Sequence, residues 1–404
     1  MNAPDGPAVT PPVEAPTAKW MDLATWQRDP YDAYRRLRES GPVVWAPALG
    51  RYMVTSYSGC RVVEADQETY TADARTALTE RALHGKPMVR KDDPAHAQDR
   101  APVNRSLRPK SVREAWAGVF ERNARTCLEA LVAAGPEQAD LDRDFAGPLA
   151  AMNLADMLGF TGVRPADMNR WSQGFVGGQG NMADDPAVWE RAEAANQEVD
   201  EVLRELVPHY RAHPDASLVS AWVSSGISLE ALHTNVKLVI SGGLNEPMHA
   251  VATLVWALSE HPDQRELVLA DPQRWTDAFD EAVRLVSPIG AYTRETTRPT
   301  TLEGVDLPAG ATVSVTVAAG NRDPEVFERP DQFDLERPKV SHLGFGSGVH
   351  MCAGHWAARI AVGEIAVPVL YQELPGLRID VRRPVTWSGF VFRGLRDAPV
   401  TWDS

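Results

Sequence analysis

The sequence predicts a mainly α-helical chain with small β-sheets. Residues 114 to about 215 carry helical patterns that break only around Gly135-Pro136 and Gly177-Gly178. A further helix is predicted over residues 229–260, where apolar residues surround nearly the whole helix between 236 and 258. That helix is therefore expected to be buried. At 404 residues, the chain is long enough to bury a large core and a cofactor.

Composition excludes several classes of protein. The net charge of −14 disfavours nucleic acid or anionic lipid as a general partner. Three cysteines, Cys60, Cys127 and Cys352, are too few for a disulfide framework and too widely spaced for zinc, which fits a reducing cytoplasmic compartment. The N-terminus has neither the basic nor the apolar region of a secretory signal, and no apolar run is long enough to cross a bilayer. We therefore expect no membrane association.

The first part of the chain predicts a tail, a helix and a hairpin. Residues 1–18 are rich in proline and alanine and are expected to be disordered, which leaves 19–404 as a single domain. A helix is predicted to start at Asp29-Pro30, since proline is favoured in the first turn. Two strands are predicted at Gly41–Trp45 and Arg51–Ser56.

Two segments lack a stable helical pattern. Residues 70–93 have no clear period and carry Gly85 and Pro87, so they are predicted to form a long loop. The stretch Phe175–Asn181 is too rich in glycine for a stable helix. We predict that this stretch is a flexible lid over a pocket.

The middle of the long helix breaks the rules of helix composition. Gly242 and Gly243 are followed by Pro247, which has no N–H and leaves the carbonyl of Gly243 without its usual donor. The helix is expected to kink or open here. The freed groups would then be available to water or oxygen.

Charged residues recur at helical spacing. His96 and Arg100 are four apart and share a helical face, and Glu281 and Arg284 are three apart. Each pair taken alone is also typical of a solvated surface.

The stretch Phe345–Gly354 reads Phe-Gly-Ser-Gly-Val-His-Met-Cys-Ala-Gly. Its cysteine, Cys352, lies two residues after His350, and a thiolate of this kind can hold haem iron. Glycines let the backbone approach a flat macrocycle, and the helical pattern that follows would stabilise a thiolate with its N-terminal end. The alternative is an ordinary buried thiol in a glycine-rich turn.

The whole stretch resembles the haem-binding loop of cytochromes P-450, through Phe345, Gly346, Gly348, His350, Cys352 and Gly354. Three further segments agree with the family in order and spacing: Glu281–Arg284, Asn321–Pro324 and Phe333–Arg337. The resemblance covers about residues 20–404. It implies the cytochrome P-450 fold, with a long central helix over haem b and Cys352 as the axial ligand of the iron.

The resemblance also implies roles for other residues. Those expected to hold the haem propionates are His96, Arg100, Arg294 and His350, while Phe345 would lie against the porphyrin. A buried structural triad is expected from Glu281, Arg284 and Arg337. Pocket positions, each of which could instead be plain core, are Leu244, Ile289, Ala291, Tyr292 and Phe392.

The central helix departs from the family pattern. Where relatives carry Ala/Gly-Gly-x-Asp/Glu-Thr, this chain has Asn245 at the acid position and Glu246 at the alcohol position. A relay through a threonine hydroxyl cannot work unchanged, but a carboxylic acid can carry protons, and burial would raise its pKa. The alternative is a structural role for Glu246. The variant resembles a small bacterial subgroup that removes methyl groups from lignin-derived methoxyphenols.

These features predict a monooxygenase that demethylates a guaiacol- or syringol-like aryl methyl ether to a phenol or catechol and formaldehyde. The alternatives are a hydroxylase of a terpenoid or polyketide, a peroxygenase that uses H₂O₂, and a haem sensor without turnover. No reductase sequence follows Ser404, so electrons are expected from a separate ferredoxin or a flavin/iron–sulfur reductase. A basic cluster, Arg108, Lys110 and Arg113, is either a solvated face or the docking surface for such a partner.

Overall fold

Helices make up most of residues 14–403, the part of the chain that the computed structural model describes, so the predicted fold class is confirmed. The α-helices are α1 (Leu23–Arg28), α2 (Tyr31–Ser40), α3 (Tyr57–Ala65), α4 (Thr79–Leu83), α5 (Ala95–Asn104), α6 (Pro109–Ala134), α7 (Gly147–Leu158), α8 (Pro165–Gln179), α9 (Pro186–Ala212), α10 (Leu218–Ser225), α11 (Leu229–Glu260), α12 (Pro262–Ala270), α13 (Trp275–Leu285), α14 (Val317–Gly320), α15 (His355–Ala358) and α16 (Val367–Glu373). Short 3₁₀ turns lie at Met88–Arg90, Pro272–Arg274 and Gly348–His350, and π-helical turns at Asp142–Ala146 and Arg359–Ala366. None of the helices described here combines the length and the apolar character needed to cross a bilayer.

The strands are short and form one larger sheet and three two-stranded ones. They are β1 (Val43–Ala46), β2 (Arg51–Val54), β3 (Tyr70–Thr71), β4 (Tyr292–Thr296), β5 (Thr300–Leu302), β6 (Val305–Leu307), β7 (Thr312–Val315), β8 (Arg378–Ile379), β9 (Thr386–Ser388), β10 (Gly394–Asp397) and β11 (Val400–Thr401). The larger sheet has the order β1-β2-β7-β4-β3, in which only β2 and β7 are parallel. The predicted hairpin is its β1–β2 edge.

Ordered structure begins earlier than the sequence predicts. Residues 1–13 lie outside the described part of the chain. Pro16 accepts a hydrogen bond from the amide of Trp45, and the amide of Ala18 donates to the carbonyl of Trp45, each at 2.8 Å. Ala18 is buried. The tail boundary predicted at residue 18 is therefore wrong, because residues 16–18 run along the free edge of β1.

The long central helix has the predicted bounds. Ser228 caps α11 by accepting a hydrogen bond from the amide of Ala231 at 3.2 Å. The helix continues through Gly243 and Pro247, so the predicted opening of the helix is wrong. A Cβ atom at Gly243 would lie 2.9 Å from Leu154, so this glycine lets α7 pack closely against α11. Packing from neighbouring helices outweighs the poor helix propensity of this stretch.

The glycine-rich stretch predicted as a lid is also helical. Residues 175–179 form the last turns of α8. A Cβ atom at Gly178 would lie 3.0 Å from the Cβ of Ala82 and 3.2 Å from that of Ala192. The glycine therefore serves close packing of α8 against α4 and α9, and the lid prediction is wrong. The predicted loop over residues 70–93 likewise contains β3 and α4.

Candidate active site

The cysteine loop, residues Phe345–Gly354, leads directly into α15. Gly346 and Gly348 have φ angles of +66° and +64°, which glycine adopts without strain. A Cβ atom at Gly348 would overlap the carbonyl of Glu64. The amide of Cys352 donates to the carbonyl of Phe345 at 2.8 Å, which closes the loop. The cysteine side of the site is thus held by local backbone geometry.

Glu64 on α3 ties this loop to the rest of the protein, and sequence reasoning missed it. Its carboxylate is buried and accepts hydrogen bonds from the amide of Ser347 at 3.1 Å and from its hydroxyl at 2.7 Å. The hydroxyl of Tyr292 is a third partner. Burial raises the pKa of Glu64, and the two bonds from Ser347 oppose that change. Tyr292 therefore faces Glu64 and the cysteine loop, and its assignment to the substrate pocket is wrong.

The ring of Phe345 packs inside the protein at the base of the loop. It lies 6.2 Å from the ring of Phe279, centre to centre, and the guanidinium of Arg359 lies 4.7 Å from its centre. Its predicted contact with the porphyrin remains a prediction.

Cys352 has an exposed surface, although other residues lie closely around it. Burial raises the pKa of its thiol, while the amide of Gly354 and the charges of Arg100 and Arg359 lower it. The charge of Glu246 on α11 raises the same pKa, and we call the space between Cys352 and this part of α11 the cleft. The thiol would form a thiolate readily only if a further cation, such as a metal ion, stabilised it.

The opposite wall of the cleft is one face of α11. Gly242 is exposed in the mostly buried middle part of α11, and Leu238 and Val239, one turn earlier, are partly exposed. A Cβ atom at Gly242 would lie 3.9 Å from a carboxylate oxygen of Glu246. Leu244, in contrast, is fully buried. Two residues of helix rotate a side chain by about 200°, so Leu244 points away from the cleft and its pocket assignment is wrong.

The polar groups at the centre of this wall are unpaired. Neither carboxylate oxygen of Glu246 has a hydrogen-bond partner among residues 14–403, and the same holds for both amide atoms of Asn245. Burial raises the pKa of Glu246 from 4.5 to about 8. Glu246 is therefore mostly protonated at neutral pH, so that its carboxyl can both donate and accept a proton.

Two other pocket candidates meet where a loop from the C-terminal part pairs with the segment that precedes β4. Ile289 and Phe392 form an isolated antiparallel bridge, and the amide of Gly290 donates to the carbonyl of Val391 at 2.8 Å. Ala291 follows and is buried. The structure thus brings Ile289 and Phe392 together, as a pocket wall requires.

The four residues predicted to hold the propionates gather at one end of the cysteine loop. The rings of His96 and His350 lie 4.3 Å apart, and Nε2 of His350 has no partner within the described chain. Burial lowers the pKa of His350 to about 3, with further contributions from Arg294, His96 and Arg100. His96 also contacts Asp93 at 3.1 Å, and Arg100 donates to the carbonyls of Val349, at 3.0 Å, and Met351.

Arg90 is a fifth member of this group, and sequence reasoning missed it. Arg90 and Arg294 are 6% and 5% exposed, and neither forms an ion pair within residues 14–403. Both donate to the carbonyl of Thr293, at 3.4 and 3.1 Å. Burial, then the charge of Arg294, lowers the pKa of Arg90 to about 10. Neighbouring buried cations are stable only with an anion between them, and the two carboxylates of haem fit this need.

The predicted triad is assembled on the far side of the cysteine loop. Arg284 donates twice to Glu281, at 2.7 and 2.8 Å, and once to the carbonyl of Asn321 at 2.9 Å. Arg337 reaches the same carboxylate at 3.3 Å. These buried charges tie α13 to the segment that precedes the cysteine loop.

An accessible cysteine in a glycine-framed loop, below a buried helix and beside unpaired buried arginines, defines the class as a haem protein with a thiolate ligand. Comparisons with known proteins agree. The sequence model of the family "Cytochrome P450" matches residues 275–369. The chain is 32% identical to the cytochrome P450 monooxygenase PikC of Streptomyces venezuelae, over 98% of this chain and 96% of that protein. This chain therefore belongs to the cytochrome P450 family.

Two further comparisons agree with that assignment. Linalool 8-monooxygenase of Pseudomonas putida is 29% identical, over 90% of this chain and 92% of that protein. The crystal structure of CYP109E1 from Bacillus megaterium in complex with testosterone has a TM-score of 0.82 at 23% identity, over 93% of this chain and 98% of that one, which shows the fold alone. The predictions of a P450 monooxygenase and of the family's cysteine-ligated haem b are confirmed. Bacterial members of the family take electrons from partner proteins such as ferredoxin.

Proposed function

We propose that this monooxygenase demethylates a small, neutral aryl methyl ether of the guaiacol or syringol type. Haem, when bound, supplies the activation of O₂ and the oxidation of the methyl group. Hydroxylation of that methyl gives a hemiacetal, which collapses to a phenol and formaldehyde. In balance, the ether, O₂, two electrons and two protons give the phenol, formaldehyde and water. The protein must therefore orient the ring and deliver two protons in each turnover.

The proposal rests above all on Glu246. Its unpaired carboxyl faces the cleft opposite Cys352, beside a glycine that leaves room for a bound ring. With a pKa of about 8, this carboxyl holds a proton at neutral pH and can hydrogen-bond to a neutral phenol. A benzoate would place a second acid beside it. The buried arginines, Arg90 and Arg294, lie at the other end of the site, where haem carboxylates are expected.

The apolar character of the residues around the cleft supports an apolar ring. Leu238 and Val239 flank Gly242 on α11, and Ile289 and Phe392 meet on the adjoining wall. All four side chains are uncharged and partly accessible. A flat ring between them would be held by apolar contact, while Glu246 supplies one polar anchor.

For the cofactor we propose Cys352 as the axial ligand and His96, Arg100, Arg294 and His350 as partners of the propionates. The unpaired Nε2 of His350 and the buried Arg294 support these assignments. Arg90 adds a further donor to the same end. Charge-assisted bonds of this kind suit carboxylates in both geometry and charge.

We also propose that the basic cluster Arg108, Lys110 and Arg113 receives an acidic electron donor. All three residues are exposed at the start of α6. Arg113 donates to Glu364 at 2.6 Å, and Glu364 lies in the π-helical turn that follows α15. The cluster is therefore on the cysteine side of the protein, where electrons must enter.

Spectral titration of the ferric holoenzyme with guaiacol, syringol and 4-methoxybenzoate tests the substrate. We expect both phenols to bind more tightly than the benzoate, and NADH-driven turnover with partner proteins to release formaldehyde and a catechol in equal amounts. Methoxybenzene is a matched control, since it lacks only the phenol hydroxyl of guaiacol that Glu246 would anchor. Tight benzoate binding without a response to either phenol would contradict the proposal.

A second candidate is hydroxylation of a terpenoid, which the linalool relative favours through its likeness over nine tenths of the chain. Linalool in the same titration distinguishes the two. Binding of linalool with no response to the phenols would select this second function.

A further inference from the structure

The cleft face of α11 carries a polar stripe that continues past Glu246. Asn245, His249 and Thr253 are 1%, 0% and 1% exposed. The amide of Asn245, both ring nitrogens of His249 and the hydroxyl of Thr253 have no partner among the described residues. The three are four residues apart, so they share one helix face, and at about 100° per residue this face includes Gly242 and Glu246.

An unpaired stripe of this kind is not explained by packing. An apolar side chain of similar size would fill the same volume without leaving donors and acceptors unsatisfied. Buried polar groups that lack protein partners are usually satisfied by ordered water, which needs two to four polar neighbours. Asn245, His249 and Thr253 together offer two to four such polar groups to a water within about two turns of helix.

The stripe runs from the cleft towards the surface at β10. Gly394, the first residue of this strand, packs directly on His249, because a Cβ atom there would overlap the ring. Arg396 in the same strand is exposed, and its charge contributes to the low pKa of His249, about 3, for which burial is the larger cause. His249 is therefore a neutral imidazole, with one nitrogen that donates and one that accepts.

The outer end of the stripe has a second unpaired acid. Asp142 is the first residue of the π-helical turn Asp142–Ala146. One of its carboxylate oxygens is buried and has no partner in the described chain. Its pKa is raised to about 7 by burial and then by Asp140, while Arg396 lowers it. The amide of Ala398 donates to Asp140 at 2.9 Å, which holds this turn beside the end of β10. The ionisable groups linked to His249 are thus Glu246 on its own helix, Arg396 on β10 and, through Arg396, Asp142 beside that strand.

We propose that His249 relays protons along a hydrated path from the surface at Arg396 and Asp142 to Glu246. A water on the outer side gives a proton to one ring nitrogen as the other nitrogen releases its proton to a water on the inner side. The imidazole is neutral before and after. Asn245 and Thr253 hold the waters, and Glu246 receives the proton that replaces the one it delivers in the cleft. The path would supply the two protons consumed with each O₂.

This inference depends on the oxygen chemistry of the family and not on the aryl ether proposal. Its test therefore uses a quantity that needs no particular substrate, the division of NADH-derived electrons between water and H₂O₂. His249→Phe removes both nitrogens at similar volume, and His249→Gln keeps one donor and one acceptor. We expect His249→Phe to send most electrons to H₂O₂ and to slow proton-dependent turnover by about 10²-fold, the lower end for a positioned acid–base group. His249→Gln should also send more electrons to H₂O₂, because an amide can hold water but does not pass a proton from one side to the other.

Two readouts separate a relay from a structural role. The solvent deuterium isotope effect on NADH oxidation should increase in His249→Phe, and a crystal structure of the wild-type holoenzyme should show waters bonded to His249, Asn245 and Thr253. Unchanged isotope effects and electron division in His249→Phe, with only a lower melting temperature, would overturn the proposal. A dry His249 in the crystal would do so as well. If His249→Phe fails to fold, the crystal structure and the isotope effect of His249→Gln decide.

Discussion

Replacing Glu246 with glutamine removes one ionisation from the protein interior, and the pKa of this group sets the size of the effect. In the unfolded chain the carboxyl ionises near pH 4.5, and in the folded protein near pH 8. A raised pKa favours folding at low pH. As pH rises from 4.5 to 8, the unfolded state loses its proton first, and the free energy of unfolding falls by about 1.4 kcal/mol per pH unit. The wild type should lose about 5 kcal/mol over this range, and the glutamine variant should lose none of it.

Urea unfolding of the two holoenzymes at pH 5, 7 and 9 measures this difference. We expect the proteins to be nearly equal in stability at pH 5, with Glu246→Gln more stable by about 5 kcal/mol at pH 9. Glu190→Gln is a matched control, because it makes the same substitution at an exposed position on α9. A difference between Glu246→Gln and wild type that stays constant from pH 5 to 9 would refute the reasoning.

The same variant tests whether Glu246 carries protons. An amide cannot release a proton to reacting oxygen, so peroxide-driven and NADH-driven rates should both fall, by about 10²–10⁴-fold for a general acid–base group. Glu246→Thr and Glu246→Ala should also lose peroxide-driven turnover, and Asn245→Asp tests whether a second acid restores turnover with partner proteins. Rates that are unchanged in Glu246→Gln beside a lowered melting temperature would show that Glu246 is only structural.

Three further predictions concern the iron ligand, the partners of the haem propionates and the buried Glu281–Arg284 ion pair. Cys352→Ser should abolish the absorbance band typical of thiolate-bound haem in the reduced CO complex, and a retained band would exclude Cys352 as the ligand. Arg100→Ala and Arg294→Ala should each weaken haem binding by roughly 1.5–3 kcal/mol per charge-assisted bond. The rate at which haem transfers to apomyoglobin measures this loss. Wild-type transfer rates in both variants would contradict the proposed propionate contacts. Arg284→Ala leaves Glu281 buried without its closest cation and should destabilise the holoenzyme by about 3–5 kcal/mol, whereas a melting temperature equal to that of wild type would contradict a structural role for this pair.

Local patterns predicted much of the fold because they report on burial and chain stiffness. The bounds of α11 follow from its apolar composition and its Ser228 cap, and the β1–β2 hairpin follows from two short apolar runs. The same rules failed at residues 175–179. Glycine weakens an isolated helix, but Gly178 lets α8 approach its neighbours so closely that packing stabilises the helix.

The cysteine loop was predictable because its chemistry and backbone shape occupy consecutive residues. Pocket residues were harder to predict, since one step along a helix or strand turns a side chain to another side. The family pattern predicts Leu244 and Tyr292 in the pocket, but each points elsewhere. Counting back one turn from Gly242 would have found Leu238 and Val239, because residues three and four apart share a helix face.

The family, the cysteine loop, the central helix and the unusual acid at Glu246 can all be read from the sequence, since each is a local property of consecutive residues. Which charged and polar groups remain unpaired becomes visible only in the folded chain. Arg90 lies beside Arg294, Glu64 supports Ser347, and His249 faces Gly394, although each pair comes from distant parts of the chain. The physical reason is that a polar group's energy depends on its neighbours in space. Pairing and burial therefore become known only when the chain is folded.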